Sequence, residues 1–263
     1  MTASGLTLFE LAGANSELRF SPHCWKTRMA LAHKGLEADR VPWRFVDKDK
    51  IAFSGQSLVP VLVHGDESIS DSWRIALYLE ECFPAKLSLF GGTGAIPVTQ
   101  FVNSWADAAL LPAIARIILM DIYNCVDAGD RSYLRSSREK YFGMSLEAVV
   151  ADRSAHLSDF RTALQPLRRM LKRQDFICGE APAYADYCVF GMFMWARCCS
   201  TIELLDDDDH VHPWRERLLD SFGGLARSAP FRQYPDGRPF MTEEGIVGAP
   251  SSTPSLTSGL DRR

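Results

Sequence analysis

The feature that most constrains this chain is a change of pattern near residue 85. Before it, short strand-like runs alternate with helical ones; after it, strand patterns vanish. Leu6 to Leu11 (LTLFEL) reads as a strand. Ser21 and Pro22 open a helix to about Lys34, since Ser is a favoured N-cap and Pro suits the first helical position. Trp25, Met29 and Ala32 share one face of that helix, and Gly35 stops it. Residues 37–46 read as a second strand and 47–57 as a loop or weak helix. Residues 59–63 and 67–70 read as two strands joined by a turn at 64–66. Asp71 and Ser72 cap the next helix, in which Ile75, Tyr78, Leu79 and Cys82 keep helical spacing. This order implies a mixed sheet covered by helices, an α/β layer arrangement.

Residues 84–97 (PAKLSLFGGTGAIP) hold two Pro and three Gly and read as a linker. The expected organisation is therefore an α/β domain over 1–85, a linker over 86–97, an all-helical domain over 98–245 and a flexible tail over 246–263. In the helical part, Val98 to Tyr123 reads as one long helix with a kink at Pro112. Further helices are expected over 138–174, 186–199 and about 213–222. The run YCVFGMFMWA (187–196) carries no charge, so its helix should be buried on every side. Ala183, three residues before Asp186, removes the hydroxyl of a capping box. Asp206 to Asp209, with His210 and His212 beside it, reads as a solvated turn.

Composition narrows the function. Among 263 residues, 33 acids and 29 bases leave a net charge of −4, which argues against a general nucleic-acid binder. No run of 18 apolar residues is present, so no membrane-spanning helix is expected. The first 20 residues lack the basic start and apolar block of a signal peptide. Seven cysteines without a CxxC pair fit reduced thiols in the cytoplasm better than a disulfide framework. His23, His33 and His64 have no partner at metal-ligand spacing, so no metal site is expected.

Three local features remain, all in the α/β part. They are SPHCW (21–25) at a helix start after the first strand, Val59-Pro60 leading into a strand, and Asp71-Ser72-Trp73 opening a second helix. Alone, Ser21 and Asp71-Ser72 read as plain helix caps. Together, in this order and ahead of an all-helical segment, they resemble the glutathione transferase superfamily over roughly residues 6–230. The runs SPHCWKTRMALAHKG (21–35), SLVPVLV (57–63) and DSWRIALYLEE (71–81) are similar to its β-etherase branch. So are YLRSSREKYFG (133–143), LQPLRRML (164–171) and APAYADY (181–187). That branch holds bacterial glutathione-dependent β-aryl etherases and fungal etherase-related transferases.

The resemblance implies a thioredoxin-like N-terminal domain, an all-α C-terminal domain and a homodimer. Glutathione would be the co-substrate, with no metal. It implies that Ser21 donates to the glutathione sulfur, lowering the thiol pKa together with the helix N-terminus. Cys24 would point inward or aside, and Ser21 stands where a redox pair would need Cys. Val59 would pair with the cysteinyl part of glutathione beside a cis Val59–Pro60 bond. Ser72 and the helix N-terminus would take the γ-glutamyl carboxylate and Asp71 the ammonium. Lys48 and Gln56 lie in the segment that would meet the glycyl carboxylate. An aromatic electrophile would need an apolar pocket, for which Trp105, Met120, Tyr123, Phe193 and Trp195 are candidates, although such residues equally serve as core. The implied reaction is displacement of a phenolate from a β-aryl ether by the thiolate. A general glutathione transferase or peroxidase, and a non-catalytic carrier of aromatic ligands, stay open as alternatives.

Overall fold

The computed structural model describes residues 5–232. The expected tail over 246–263, and the end of the helical domain at 245, lie outside the described residues. Four strands form one sheet: β1 (Leu6–Leu11), β2 (Ala38–Trp43), β3 (Val61–His64) and β4 (Glu67–Ser70), in the order β2-β1-β3-β4. β1 runs parallel to β2, with Leu6 opposite Ala38, and antiparallel to β3, with Leu6 opposite His64. The parallel pair is joined by α1 (Pro22–His33), and the tight turn at Gly65 makes the β3–β4 hairpin. A short 3₁₀ segment (Lys48–Ser54) fills the stretch read as a weak helix, and α2 (Ser72–Cys82) follows the sheet. This is the mixed sheet that the order of elements implied and the thioredoxin-like arrangement that the resemblance implied.

The helical domain differs from expectation in two places. Residues 96–125 form one helical run made of α3 (Ile96–Trp105), a π turn (Ala106–Leu110) and α4 (Leu111–Cys125). The irregularity lies just before Pro112, not at it. Pro112 has no N–H to bond the preceding turn, and the Leu111 N–H reaches back to Ala106 O instead. With the turn before it, the helix Thr93–Cys125 spans 33 residues and holds an 18-residue window of mean hydropathy 1.5, so by length and composition alone it could cross a membrane. Gln100, Asn103, Asp107, Arg116 and Asp121 interrupt the apolar run along it. Its residues Ile114, Ile117, Ile118 and Leu119 are buried, with the helices Arg153–Ala163 and Tyr184–Cys199 packed on α4.

The second difference is the single helix expected over 138–174, which is four: α5 (Ala128–Phe142), α6 (Leu146–Val149), α7 (Arg153–Ala163) and α8 (Gln165–Leu171). Gly143 ends α5 in the left-handed region at φ 70°. Ser145 caps α6 by accepting from Ala148 N at 3.2 Å, and Asp152 caps α7 by accepting from Ala155 N at 3.0 Å. Pro166 opens α8. The chain then enters α9 (Tyr184–Cys199), buried on nearly every side, and α10 (Val211–Gly224), which kinks at 221–223. The acidic run before α10 is not a plain solvated turn. Asp209 is buried, pairs with Arg168 at 2.6 Å, and caps Val211 N at 3.0 Å, while Asp206 pairs with Arg161.

The two domains meet along α1 and α9. At Gly191 a Cβ would stand 2.5 Å from the carbonyl oxygen of Pro22, so only glycine permits this approach. Lys26 of α1 is fully buried, with its ammonium 2.7 Å from Asp107 Oδ1 and 2.8 Å from Asn103 Oδ1. At the other end of α1, His33 Nε2 lies 3.0 Å from Ser88 O and Nδ1 lies 2.7 Å from the Tyr187 hydroxyl. A carbonyl only accepts, so Nε2 carries the proton, and in the neutral ring Nδ1 accepts from Tyr187.

Gly191→Ala should destabilise the protein by about 1–3 kcal/mol through overpacking against backbone, read as a lower midpoint in urea unfolding. Burial lowers the His33 pKa. The stability gained from its neutral form is full above the ordinary histidine value of about 6.5 and is lost as pH falls from there through the lower folded value. Urea midpoints measured between pH 7.5 and 5 should therefore fall less steeply in His33→Gln, which keeps a donor and an acceptor but does not titrate.

Candidate active site

The N-terminus of α1 faces a cavity of about 310 Å³ between the sheet domain and the helices. Ser21 is nine-tenths buried and forms part of its wall. Its backbone is extended (φ −61°, ψ 129°), and its Oγ accepts from Cys24 N at 3.3 Å as the N-cap. Accepting that bond uses a lone pair and leaves the O–H free to donate. Pro22 has no N–H, so the first helical turn adds one donor beside the hydroxyl, the His23 N–H. The helix end thus leaves two donors uncommitted in residues that line the cavity. Cys24 points away into the core, and burial pushes its thiol up to about 12.

His23 also lines the cavity. Its pKa falls to about 4, chiefly because its surroundings desolvate the charged ring and because Lys26 repels it; Asp107 and Asp71 act the other way. At neutral pH the ring is uncharged. No other described histidine, and no group of three His, Cys, Asp or Glu among the described residues, forms a cluster able to hold a metal.

The remaining expected residues fall into three sets. Val59 lines the same cavity as Ser21, ahead of the β3 ladder that starts at Val61; the Val59–Pro60 bond is cis. Asp71 caps α2, with Oδ1 accepting from Trp73 N at 3.0 Å and Arg74 N at 3.1 Å. It does so at φ 76° and ψ 130°, a region an L-residue seldom adopts. Its second carboxylate oxygen is outside this cap. Ser72 is buried, and its carbonyl accepts from the Tyr184 hydroxyl at 2.6 Å, tying α2 to α9. Lys48 and Gln56 are exposed on the 3₁₀ segment and the loop after it; the Lys48 ammonium stands 4.7 Å from the Tyr133 ring.

The pocket aromatics need correction. Of the five, Trp195 alone lines the cavity. Phe193 is buried against Phe160 and Trp214, with ring centroids 6.0 and 5.7 Å away, and belongs to the core. Trp105 and Met120 are half-buried elsewhere, and Tyr123 lies beneath Arg131 and Arg135 at 5.5 and 4.9 Å. The helical wall is instead built by Leu111, Pro112, Ala115, Leu119 and Ile122 of α4 and by the α5 face. That face carries Leu134, Arg138, Tyr141 and Phe142, spaced four, three and one apart. The helical spacing was visible in the sequence, but starting the helix at 138 hid it.

A four-stranded mixed sheet, a helical domain packed on its first helix, and a serine-capped helix end between them define the class of the molecule. Two family descriptions match the chain: "Glutathione S-transferase, N-terminal domain" over residues 20–82 and "Glutathione S-transferase, C-terminal domain" over 98–219. The chain belongs to the glutathione S-transferase superfamily. "Glutathione S-transferase 1" of Dianthus caryophyllus is 40% identical over 65 residues, covering 23% of this chain and 29% of that protein. The match thus spans under a third of that relative's length. A glutathione S-transferase of Ceriporiopsis subvermispora, solved in complex with glutathione, superposes with a TM-score of 0.70 at 20% identity. That comparison covers 82% of this chain and 96% of the other. A glutathione transferase of Phanerochaete chrysosporium gives 0.68 at 19% identity, covering 86% and 94%. These two likenesses are of fold.

Asp71→Ala should cost about 0.5–2 kcal/mol through loss of the α2 cap, whereas Asp71→Asn, which keeps the capping oxygen, should cost less. Thermal unfolding of the two variants side by side separates the cap from the charge.

Proposed function

We propose that this chain is a cytoplasmic glutathione transferase of the β-etherase type, cleaving β-aryl ether bonds of lignin-derived aromatic compounds. The observation that carries this reading is the cavity itself, whose lining combines Ser21 and His23 of the α1 start with apolar residues of α4 and α5. The glutathione thiol lies against the α1 N-terminus, where the Ser21 O–H donates to the thiolate. Val59 pairs with the cysteinyl backbone. The outer Asp71 oxygen takes the γ-glutamyl ammonium, and Ser72 with the start of α2 takes its carboxylate. Lys48 and Gln56 meet the glycyl carboxylate. With the thiolate and an aryl ketone side by side, sulfur attacks the carbon that bears the ether oxygen. A C–S bond forms, the C–O bond breaks, and its electron pair leaves on the phenolate, which takes a proton from water. Binding both reactants supplies most of the advantage. A homodimer belongs to the same reading, with exposed Leu87, Val98 and Phe101 available as apolar contact surface.

The test is phenol release from a fluorogenic α-keto β-aryl ether in the presence of glutathione. No release, with turnover of a chloronitroarene, leaves a transferase for other electrophiles. No turnover of either, with tight binding of aromatics, identifies a carrier. Ser21→Ala should lower kcat/KM by about 10- to 100-fold, the equivalent of one charge-assisted hydrogen bond. It should also move the acid limb of the pH profile upward, because the thiol pKa rises when a donor to the thiolate is lost. An unchanged profile removes Ser21 from the mechanism.

A further inference from the structure

We propose that Arg138 makes the second-substrate side of this cavity selective for aromatic electrophiles carrying a carboxylate. The inference rests on the reading that the thiol occupies the Ser21 end. Among the described residues that line the cavity, Arg138 is the single arginine or lysine, and no aspartate or glutamate lines it. Its guanidinium makes one long hydrogen bond, 3.4 Å to Ser137 Oγ, and no carboxylate lies within ion-pair distance of it among the described residues. Its neighbour Arg135 is different, held by Glu139 at 2.9 Å and Glu147 at 2.8 Å. Glu139 is thus already engaged on the same helix.

Burial lowers the Arg138 pKa, but a guanidinium stays charged at any ordinary pH. The molecule therefore keeps a partly desolvated cation on an apolar wall without a counter-charge of its own, which is unfavourable unless a ligand completes the pair. A carboxylate fits the planar fork of donors and can be bound by two parallel hydrogen bonds. Tyr141 on the same helix face and Trp195 elsewhere in the lining offer faces and edges for a ring. The groups placed on the two glutathione carboxylates, Ser72 and the Lys48–Gln56 segment, belong to the sheet domain, whereas Arg138 stands on α5. The anion it awaits belongs to the other reactant.

The experiment compares chlorodinitrobenzene with chlorodinitrobenzoate, the same electrophile with a carboxylate, in the wild type, Arg138→Met and Arg138→Lys. The ratio of kcat/KM for the benzoate to that for the neutral substrate should fall about 10- to 100-fold in Arg138→Met, mainly through KM for the benzoate. Arg138→Lys should recover part of it, since the charge remains but the fork is lost. Equal losses on both substrates, or a raised KM for glutathione with both, would overturn the proposal. Binding of nitrobenzoate and nitrobenzene, followed by tryptophan fluorescence, supplies a readout without turnover. If the wild type turns over neither substrate but Arg138→Met loses the benzoate preference in binding, the transferase reading fails and the anion site stands. If turnover is present and both ratios are unaltered, the reverse holds.

Discussion

Everything at the site depends on how closely α1 approaches α9. The Pro22 carbonyl sits over Gly191, and one turn later Lys26 is buried with its ammonium between Asn103 and Asp107. A buried ammonium without partners costs several kcal/mol, so only one position of α1 against the helical domain is acceptable. Trp25 adds a bond from its indole N–H to Arg19 O at 2.9 Å, fixing the loop that leads into the helix. Ser21 is therefore held by the helical domain as much as by the sheet that precedes it. The first helix of the sheet domain is the joint between the domains, and the cavity is the space left beside that joint.

Two buried acids show different ways of holding such a joint. Asp186 accepts from Ile177 N at 2.7 Å, Trp214 Nε1 at 2.8 Å and Ala183 N at 3.1 Å. Burial raises its pKa, and these donors oppose the rise. One carboxylate thereby fixes the starts of α9 and its packing on α10, and supplies the half of the capping box that survives when Ala183 replaces a hydroxyl residue. Glu10 on β1 is equally buried, yet neither of its oxygens has a hydrogen bond; Arg28 and Arg19 stand 3.6 and 3.9 Å away. That contact neutralises charge without setting direction. Asp186 can locate an element, whereas Glu10 holds the face of β1 against α1 by attraction alone.

What was legible in the sequence follows from range. The β1 strand, the Ser21 cap, the Gly65 turn and the Asp71 cap are local events, each set by a few neighbouring residues, and the mixed sheet followed from their succession. The breaks in 138–174 are equally local, at Gly143, Ser145, Asp152 and Pro166. Pocket aromatics are another matter. Whether Phe193 or Trp195 meets solvent depends on the angle of α9 against α7 and α10, and two residues on one helix can face opposite ways. Arg138 was hidden for the same reason: its unpaired state exists only once α5 has been placed against α4. The strained backbone of Asp71 is also a tertiary fact, since an Asp in a capping position gives no hint of a positive φ.

The environment of Cys24 sharpens what Ser21 can do. This thiol is within reach of the same hydroxyl and of the Leu11 backbone, both of which favour its thiolate, and burial still drives it up to about 12. A hydrogen bond from Ser21 is therefore insufficient to ionise a sulfur that has lost its water. A thiol bound in the cavity differs in two respects. On the proposed reading it lies beside the start of α1, where the His23 N–H adds a second donor, in a cavity that is partly open to solvent. His23 itself cannot add a cation there, being neutral above about pH 4. Activation on the proposed reading must then come from donors plus residual hydration, not from a charged residue. A substrate that seals the cavity before deprotonation would bind a thiol rather than a thiolate, so the proposed reading requires glutathione to ionise before an aromatic partner closes the site.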